Sequence, residues 1–112
     1  MTHYKTVLEL YESVCARVAR LIRNIAARDG KLGDQLRRSW SSVGMNLAEA
    51  DGYQGKSRCH SIRIAIGSNR ETQTGLGIGV AFEYLGQSEL DEVVPDIERI
   101  TAMATARLNA NR

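Results

Sequence analysis

Residues 34–71 read DQLRRSWSSVGMNLAEADGYQGKSRCHSIRIAIGSNRE, and the architecture turns on whether the second half of this stretch is helix or strand. The first half repeats apolar residues at Leu36, Trp40, Val43, Leu47 and Ala50, the three- and four-residue spacing that lines one helix face. The pattern breaks at Asp51-Gly52-Tyr53-Gln54-Gly55, a glycine-rich turn, and an apolar segment resumes at Cys59. A helix, a tight reversal and a returning segment form a hairpin whose arms pack on each other. Small residues on both arms, Ser39, Ser42, Gly44 and Ala48 against Ala65, Gly67 and Ser68, permit a close approach of the backbones.

The returning arm supports two local readings. Ile62, Ile64 and Ile66, then Leu76, Ile78 and Val80, alternate with period two, as in a β-hairpin joined by SNRETQT. Gly75, Gly77 and Gly79 favour strand, because each glycine inside a helix costs about 1 kcal/mol relative to alanine. Against strand, the connection lacks a two-residue turn signal, and an isolated two-stranded hairpin is hard to stabilise. A helical row also exists, through Cys59, Ile62, Ile66, Gln73, Leu76 and Val80.

The flanking segments read as helices. Toward the N-terminus, Val7, Tyr11, Val14, Val18, Leu21 and Ile25 form a four-three seam, with Leu8, Cys15 and Ile22 beside it. This predicts a helix over 3–28, closed by Gly30 as a left-handed cap. The second helix is expected over 32–51. Toward the C-terminus, Leu90, Val93, Ile97, Ile100, Ala104 and Leu108 form a stripe over 89–109, with Ser88 as its cap and Pro95 either kinking the helix or marking its first turn. The final residues, NANR, are expected to fray. Short connections imply antiparallel neighbours.

The chain has 112 residues, one proline and 5% aromatic residues, which fits a single helical domain over 1–112 with a thin aliphatic core. Burying a further face against copies of itself would stabilise such a small core, so homo-oligomerisation is expected. Cys15 and Cys59 lie far apart without metal-site spacing and read as small core hydrophobes. No apolar run approaches the ~20 residues of a membrane span, and no signal peptide is evident, so a cytoplasmic protein without a membrane is expected. Charge is uneven: residues 1–70 hold 12 Lys/Arg and 6 Asp/Glu, residues 71–112 hold 3 and 7. Basic early helices pairing with an acidic last helix is the favoured account, and a basic surface for nucleic acid is its competitor.

On QLRRSWSSVGMNLAEADGY, followed by RIAIGSNRET, the chain resembles the four-helix bundle family of proteins encoded in 23S ribosomal RNA intervening sequences. That family includes the accessory variability determinant proteins of diversity-generating retroelements. The matching positions are Gln35, Leu36, Arg37, Arg38, Ser39, Ser42, Asn46, Ala48 and Glu49, then Ile64, Ala65, Gly67, Ser68 and Glu71, with FEYLGQSELDE resembling the junction of the last two helices. Ala50 stands where the family's glycine is usual, and the Gly75-Gly77-Gly79 run replaces ordinary helix formers. The resemblance implies an all-α, left-handed, antiparallel up-down-up-down four-helix bundle assembling as a ring-like homopentamer. It resolves the third segment as helix, over 56–85. For retroelement members it implies binding to a reverse transcriptase and to nucleic acid through a basic surface.

Candidate chemistry is weighed against structure. Folding the hairpin about Tyr53 brings Glu71 toward Gln35 and Arg38, so a Glu71–Arg38 ion pair is expected. Asn46 and Glu49 are expected to satisfy backbone groups at the start of the third helix. These five residues read as a structural polar network that sets register rather than as catalysts. Gly75, Gly77 and Gly79 do not form a phosphate loop, because no strand precedes them and no Gly-Lys-Ser/Thr follows; close helix or subunit contact is the better account. His3 and His60 belong to no metal or nucleophile motif, so neither an enzyme nor a cofactor is expected. Arg17, Arg20, Arg23, Arg28, Arg37, Lys56, Arg58 and Arg63, with Lys31 and Arg70 in the wider pool, are candidates for a surface contacting RNA, DNA or a partner protein. The first reading is a non-catalytic oligomeric adaptor. The alternative is a structural or protein-partner module whose charges serve self-assembly.

Overall fold

The computed structural model describes residues 6–111, so His3 to Lys5 of the expected first helix and the terminal Arg112 lie outside the described residues. Four helices follow one another: α1 (Val7–Ala26), α2 (Gly30–Gly52), α3 (Gly55–Ala81) and α4 (Gln87–Ala110). Among the described residues there is no strand. Helix α1 packs on α2 and α4, α3 packs on the same two, and the largest interface is between α2 and α3. The α1–α3 and α2–α4 pairs therefore sit on the diagonals of a square, the arrangement of an up-down-up-down bundle.

The predicted apolar rows form the core. Val7, Tyr11, Val14, Val18, Leu21 and Ile25 of α1 are buried, as are Leu36, Trp40, Val43, Leu47 and Ala50 of α2 and Leu90, Val93, Ile97, Ile100, Ala104 and Leu108 of α4. Each large aliphatic among them contributes about 1.5–3 kcal/mol of transfer free energy. Cys59 is buried and Cys15 half-buried, both with free thiols.

Helix α3 resolves the strand–helix ambiguity. Its inward row is Ile62, Ala65, Asn69, Thr72, Leu76 and Gly79, which includes two polar residues that apolar counting skips. Ile66, Gln73 and Val80 of the anticipated row are only half-buried. Ile64 and Ile78 point outward, so the period-two alternation records one residue in and the next out across a helix that is apolar on two sides.

The helix ends depart from expectation. Gly30 opens α2 instead of capping α1; the α1–α2 turn is built by Asp29, whose Oδ1 accepts the Leu32 N–H at 3.0 Å. A side-chain oxygen at the N-cap outcompetes a glycine C-cap here because it satisfies an orphan donor. At the other end of α1, Thr6 Oγ1 accepts the Glu9 N–H at 3.1 Å. Helix α4 is capped at Gly86, whose N–H donates to Glu89 Oε1 at 3.0 Å, so Ser88 lies one residue inside the helix and is not the cap. Pro95 is an interior residue of a continuous α4. It lies on the solvent face together with Asp91, so the Asp91 carbonyl left without its helical donor meets water. At the C-terminus, where fraying is expected, α4 runs to Ala110 and Asn111 is held by two contacts: its Nδ2 donates to Arg107 O at 2.8 Å and its Oδ1 accepts from Arg58 Nη1 at 3.3 Å.

Helix α3 ends in a Schellman motif. Glu83 N donates to Val80 O and Tyr84 N to Gly79 O, both at 2.9 Å, with Glu83 at φ 62°. Tyr84 stacks on Phe82 with ring centroids 5.7 Å apart, and the Arg28 guanidinium lies 5.6 Å from the Tyr84 ring.

Candidate functional site

The conspicuous polar residues of the hairpin meet at the α2–α3 interface. Ser39 Oγ and Thr72 Oγ1 are 2.8 Å apart, and each hydroxyl also lies near a carbonyl one turn back, Leu36 O at 3.2 Å and Ser68 O at 2.9 Å. One level nearer the turn, Ser68 Oγ donates to Ser42 Oγ at 2.8 Å, and Asn46 Nδ2 donates to the same Ser42 Oγ at 3.1 Å and to Ser42 O at 2.9 Å. Facing α4, the buried Asn69 Nδ2 donates to Ile97 O and Thr101 Oγ1, each at 2.8 Å, while Asn69 Oδ1 has no partner. A buried amide that donates twice across one interface fixes the register of α3 on α4.

The expected network differs from the observed one. Arg38 does not pair with Glu71; its Nε contacts Asp34 Oδ2 at 3.2 Å, one turn back on α2, and Arg37 also pairs with Asp34. An acid on the same helix lies within reach without any tertiary constraint, so it captures both arginines. The arginines hold the Asp34 carboxyl below the usual carboxylate range, Arg37 through its hydrogen bond and Arg38 through its charge. Glu71 is exposed and lies with Gln35 along the rim of a groove between α2 and α3. Asn46 bonds within α2 and through Ser42 to α3, and it does not cap the start of α3. Glu49 is also exposed, beside Tyr53, Lys56 and His60.

The turn is instead stabilised by Arg58, which sequence reading placed on a binding surface. Its Nε donates to Ala50 O at 3.0 Å and Tyr53 O at 2.8 Å, satisfying carbonyls at the end of α2. Its position eight residues beyond Ala50 across a glycine turn was the available signal, since a long cationic side chain there can reach back to a helix C-terminus. Other members of the basic pool are also engaged. Arg17 Nη2 bridges to Asp96 Oδ2 of α4 at 2.6 Å, Arg37 pairs with Asp34, and Arg28 lies over Tyr84. Arg107 joins Asp51 at 2.7 Å, a pair that the sequence did not suggest. Arg20 and Arg23 on α1, and Lys56 and Arg63 on α3, are exposed and make no ion pair among the described residues. Because α1 and α3 are diagonal, these four cations occupy opposite sides of one bundle.

Glycines explain the tight spacing. A Cβ at Gly75 would lie 2.4 Å from Leu36 Cδ2 and one at Gly79 would lie 2.6 Å from Ile25 Cδ1, whereas one at Gly77 would meet nothing within 4 Å. The missing Cβ thus leaves room for the Leu36 side chain at Gly75 and the Ile25 side chain at Gly79, and it admits nothing at Gly77. Gly44 admits Tyr11, whose hydroxyl donates to Trp40 O at 2.8 Å and whose ring lies 4.5 Å from that of Trp40. Trp40 Nε1 in turn donates to Cys15 O at 3.3 Å. Burial holds the Tyr11 hydroxyl protonated above the usual tyrosine range.

Among the described residues no group of three His, Cys, Asp or Glu side chains is placed to hold a metal ion. Among the same residues no helix is long and apolar enough to cross a membrane. The architecture is that of an all-α four-helix bundle held by a serine- and threonine-lined hairpin. Residues 4–106 match the family model of the 23S rRNA-intervening sequence proteins, and the chain belongs to that family. A solved structure from Bacteroides thetaiotaomicron, described as a protein of unknown function from the S23 ribosomal protein family, shares the fold. Its TM-score is 0.82 at 20% identity, covering 92% of this chain and 95% of that one. No curated protein matches the chain.

Proposed function

We propose that the chain is a non-catalytic, self-assembling helical-bundle adaptor, built as a ring-like homopentamer, that engages nucleic acid or a nucleic-acid enzyme such as a reverse transcriptase. The observation that carries the proposal is where the polar chemistry lies. Ser39, Ser42, Asn46, Ser68 and Thr72 hydrogen-bond one another or backbone carbonyls at the α2–α3 interface, and the exposed cations Arg20, Arg23, Lys56 and Arg63 make no ion pair among the described residues. The interior polar groups serve register, and the surface carries the function. Two such cations per side bind phosphates weakly in one chain; repetition around a ring multiplies them through effective concentration. The separated thiols of Cys15 and Cys59 suit a reducing, cytoplasmic setting.

The test is titration of the assembled protein with labelled RNA and DNA over a range of salt. Binding that weakens with salt, with a slope reduced by about two per chain in R20Q/R23Q, supports the adaptor reading. Absence of binding at physiological ionic strength favours the second reading, a structural or protein-partner module. That reading is supported by the arginines already engaged within the fold, Arg17 with Asp96 and Arg58 with the end of α2.

A further inference from the structure

Helix α3 carries two rows. The inward row steps three and four residues through Ile62, Ala65, Asn69, Thr72, Leu76 and Gly79. Two positions on, Ile64, Gly67, Glu71, Thr74, Ile78 and Ala81 repeat the same stepping, and all six are exposed. A surface helix ordinarily has one such row, and a second is what it presents to another helix. The exposed large hydrophobics among the described residues are Met45, Tyr53, Ile64, Ile78 and Phe82, all on the α2–α3 hairpin and its end, and none on α1 or α4. Phe82 is 64% exposed and Met45 66%, so they project as knobs. Beside the row lies an open groove of about 310 Å³ whose apolar lining is Leu32, Leu36 and Ile78.

We infer that the outer row of α3 is the surface on which a second copy of this chain docks, helix against helix, with an apolar side chain of one copy seated in the α2–α3 groove of the other. This rests on the self-assembly in the proposed function and specifies its surface. Charge selects a second copy as the occupant. Among the described residues Glu71, in the middle of the row, makes no ion pair, and neither does Arg70, which edges the row on one side. The same surface on another copy supplies the missing member of each pair. A phosphate backbone laid on this row would meet a carboxylate and bare isoleucines. Heptad stepping is the pattern a helical partner reads, and the copy brings a helix with that stepping.

The experiment is native mass and sedimentation of the full chain as a function of concentration. Ile64→Arg with Ile78→Arg is expected to weaken association roughly tenfold or more. Gly67→Glu guards against misfolding, because a Cβ there meets nothing within 4 Å and replaces a helix-weakening glycine. It is expected to keep or raise helical content while lowering the mass. Ala102→Glu, on the exposed face of α4, is expected to leave the mass unchanged. An assembled wild type whose mass survives both α3 variants overturns the surface and leaves self-assembly standing. A wild type that is a single chain at every concentration overturns self-assembly and the surface together.

Discussion

Ser39 and Thr72 face each other with their hydroxyl oxygens 2.8 Å apart, both buried, in the middle of the longest interface of the bundle. Removing one hydroxyl takes the cross-helix partner from the other and leaves it the carbonyl one turn back, and removing both loses that same cross-helix bond only once. Ser39→Ala and Thr72→Val are each expected to cost about 1 kcal/mol, and the double variant clearly less than the total of the two. Denaturant unfolding at one fixed protein concentration measures the coupling, since assembly contributes to apparent stability.

Glu83 occupies the left-handed position that closes α3, at φ 62°. A side chain there costs about 1 kcal/mol relative to glycine. Glu83→Gly is therefore expected to raise stability by roughly that amount, visible as a higher thermal midpoint, without changing the helical signal.

Gly75 and Gly77 are two residues apart on one helix and should respond oppositely to alanine. Gly77→Ala gains about 1 kcal/mol of helix propensity in open space. Gly75→Ala gains the same propensity but drives a methyl group to 2.4 Å from Leu36 Cδ2, so net destabilisation is expected. Comparison of the two unfolding midpoints tests the assignment.

Asp34 and Tyr11 set opposite pH responses. The Asp34 pKa is lowered in the fold by Arg37 and then Arg38, so its contribution is present above the ordinary carboxylate range and lost as pH falls through the depressed value. In a carboxyl titration followed by NMR, Asp34 is expected to have a lower midpoint than in the Arg37→Gln variant. The Tyr11 pKa is raised by burial, so its contribution is present below the ordinary tyrosine pKa and lost as pH rises through the folded value. Tyr11→Phe is expected to flatten the alkaline side of the stability profile.

Three of the four helices were legible because α1, α2 and α4 each bury one apolar stripe, as the rows through Val14, Val43 and Ile97 show. Helix α3 was not legible by pattern, because Asn69 and Thr72 sit in its buried row while Ile64 and Ile78 sit in its exposed one. Resemblance resolved it where periodicity left two readings. Gln35 and Glu71 line one groove, on the same side of the hairpin to which reflection about the turn assigns them. The ion pair was not correctly anticipated, because proximity across a hairpin does not reveal that Asp34 already holds Arg38 from below. Arg58 was misread for a related reason: charge counts cannot distinguish a cation facing solvent from one folded back onto the carbonyls of Ala50 and Tyr53.

The fit of Tyr11 against Gly44 constrains the order in which the chain can change. A methyl group on residue 44 would lie 2.4 Å from Tyr11 Cε2, so Gly44→Ala is harmful while the tyrosine ring is in place. Once residue 11 is a smaller apolar side chain, the same alanine fills the vacated space and improves the helix. The effect of one substitution thus reverses sign with the identity of its neighbour. The order of the two changes therefore matters: the path that removes the ring first avoids the clash that the reverse order must pass through.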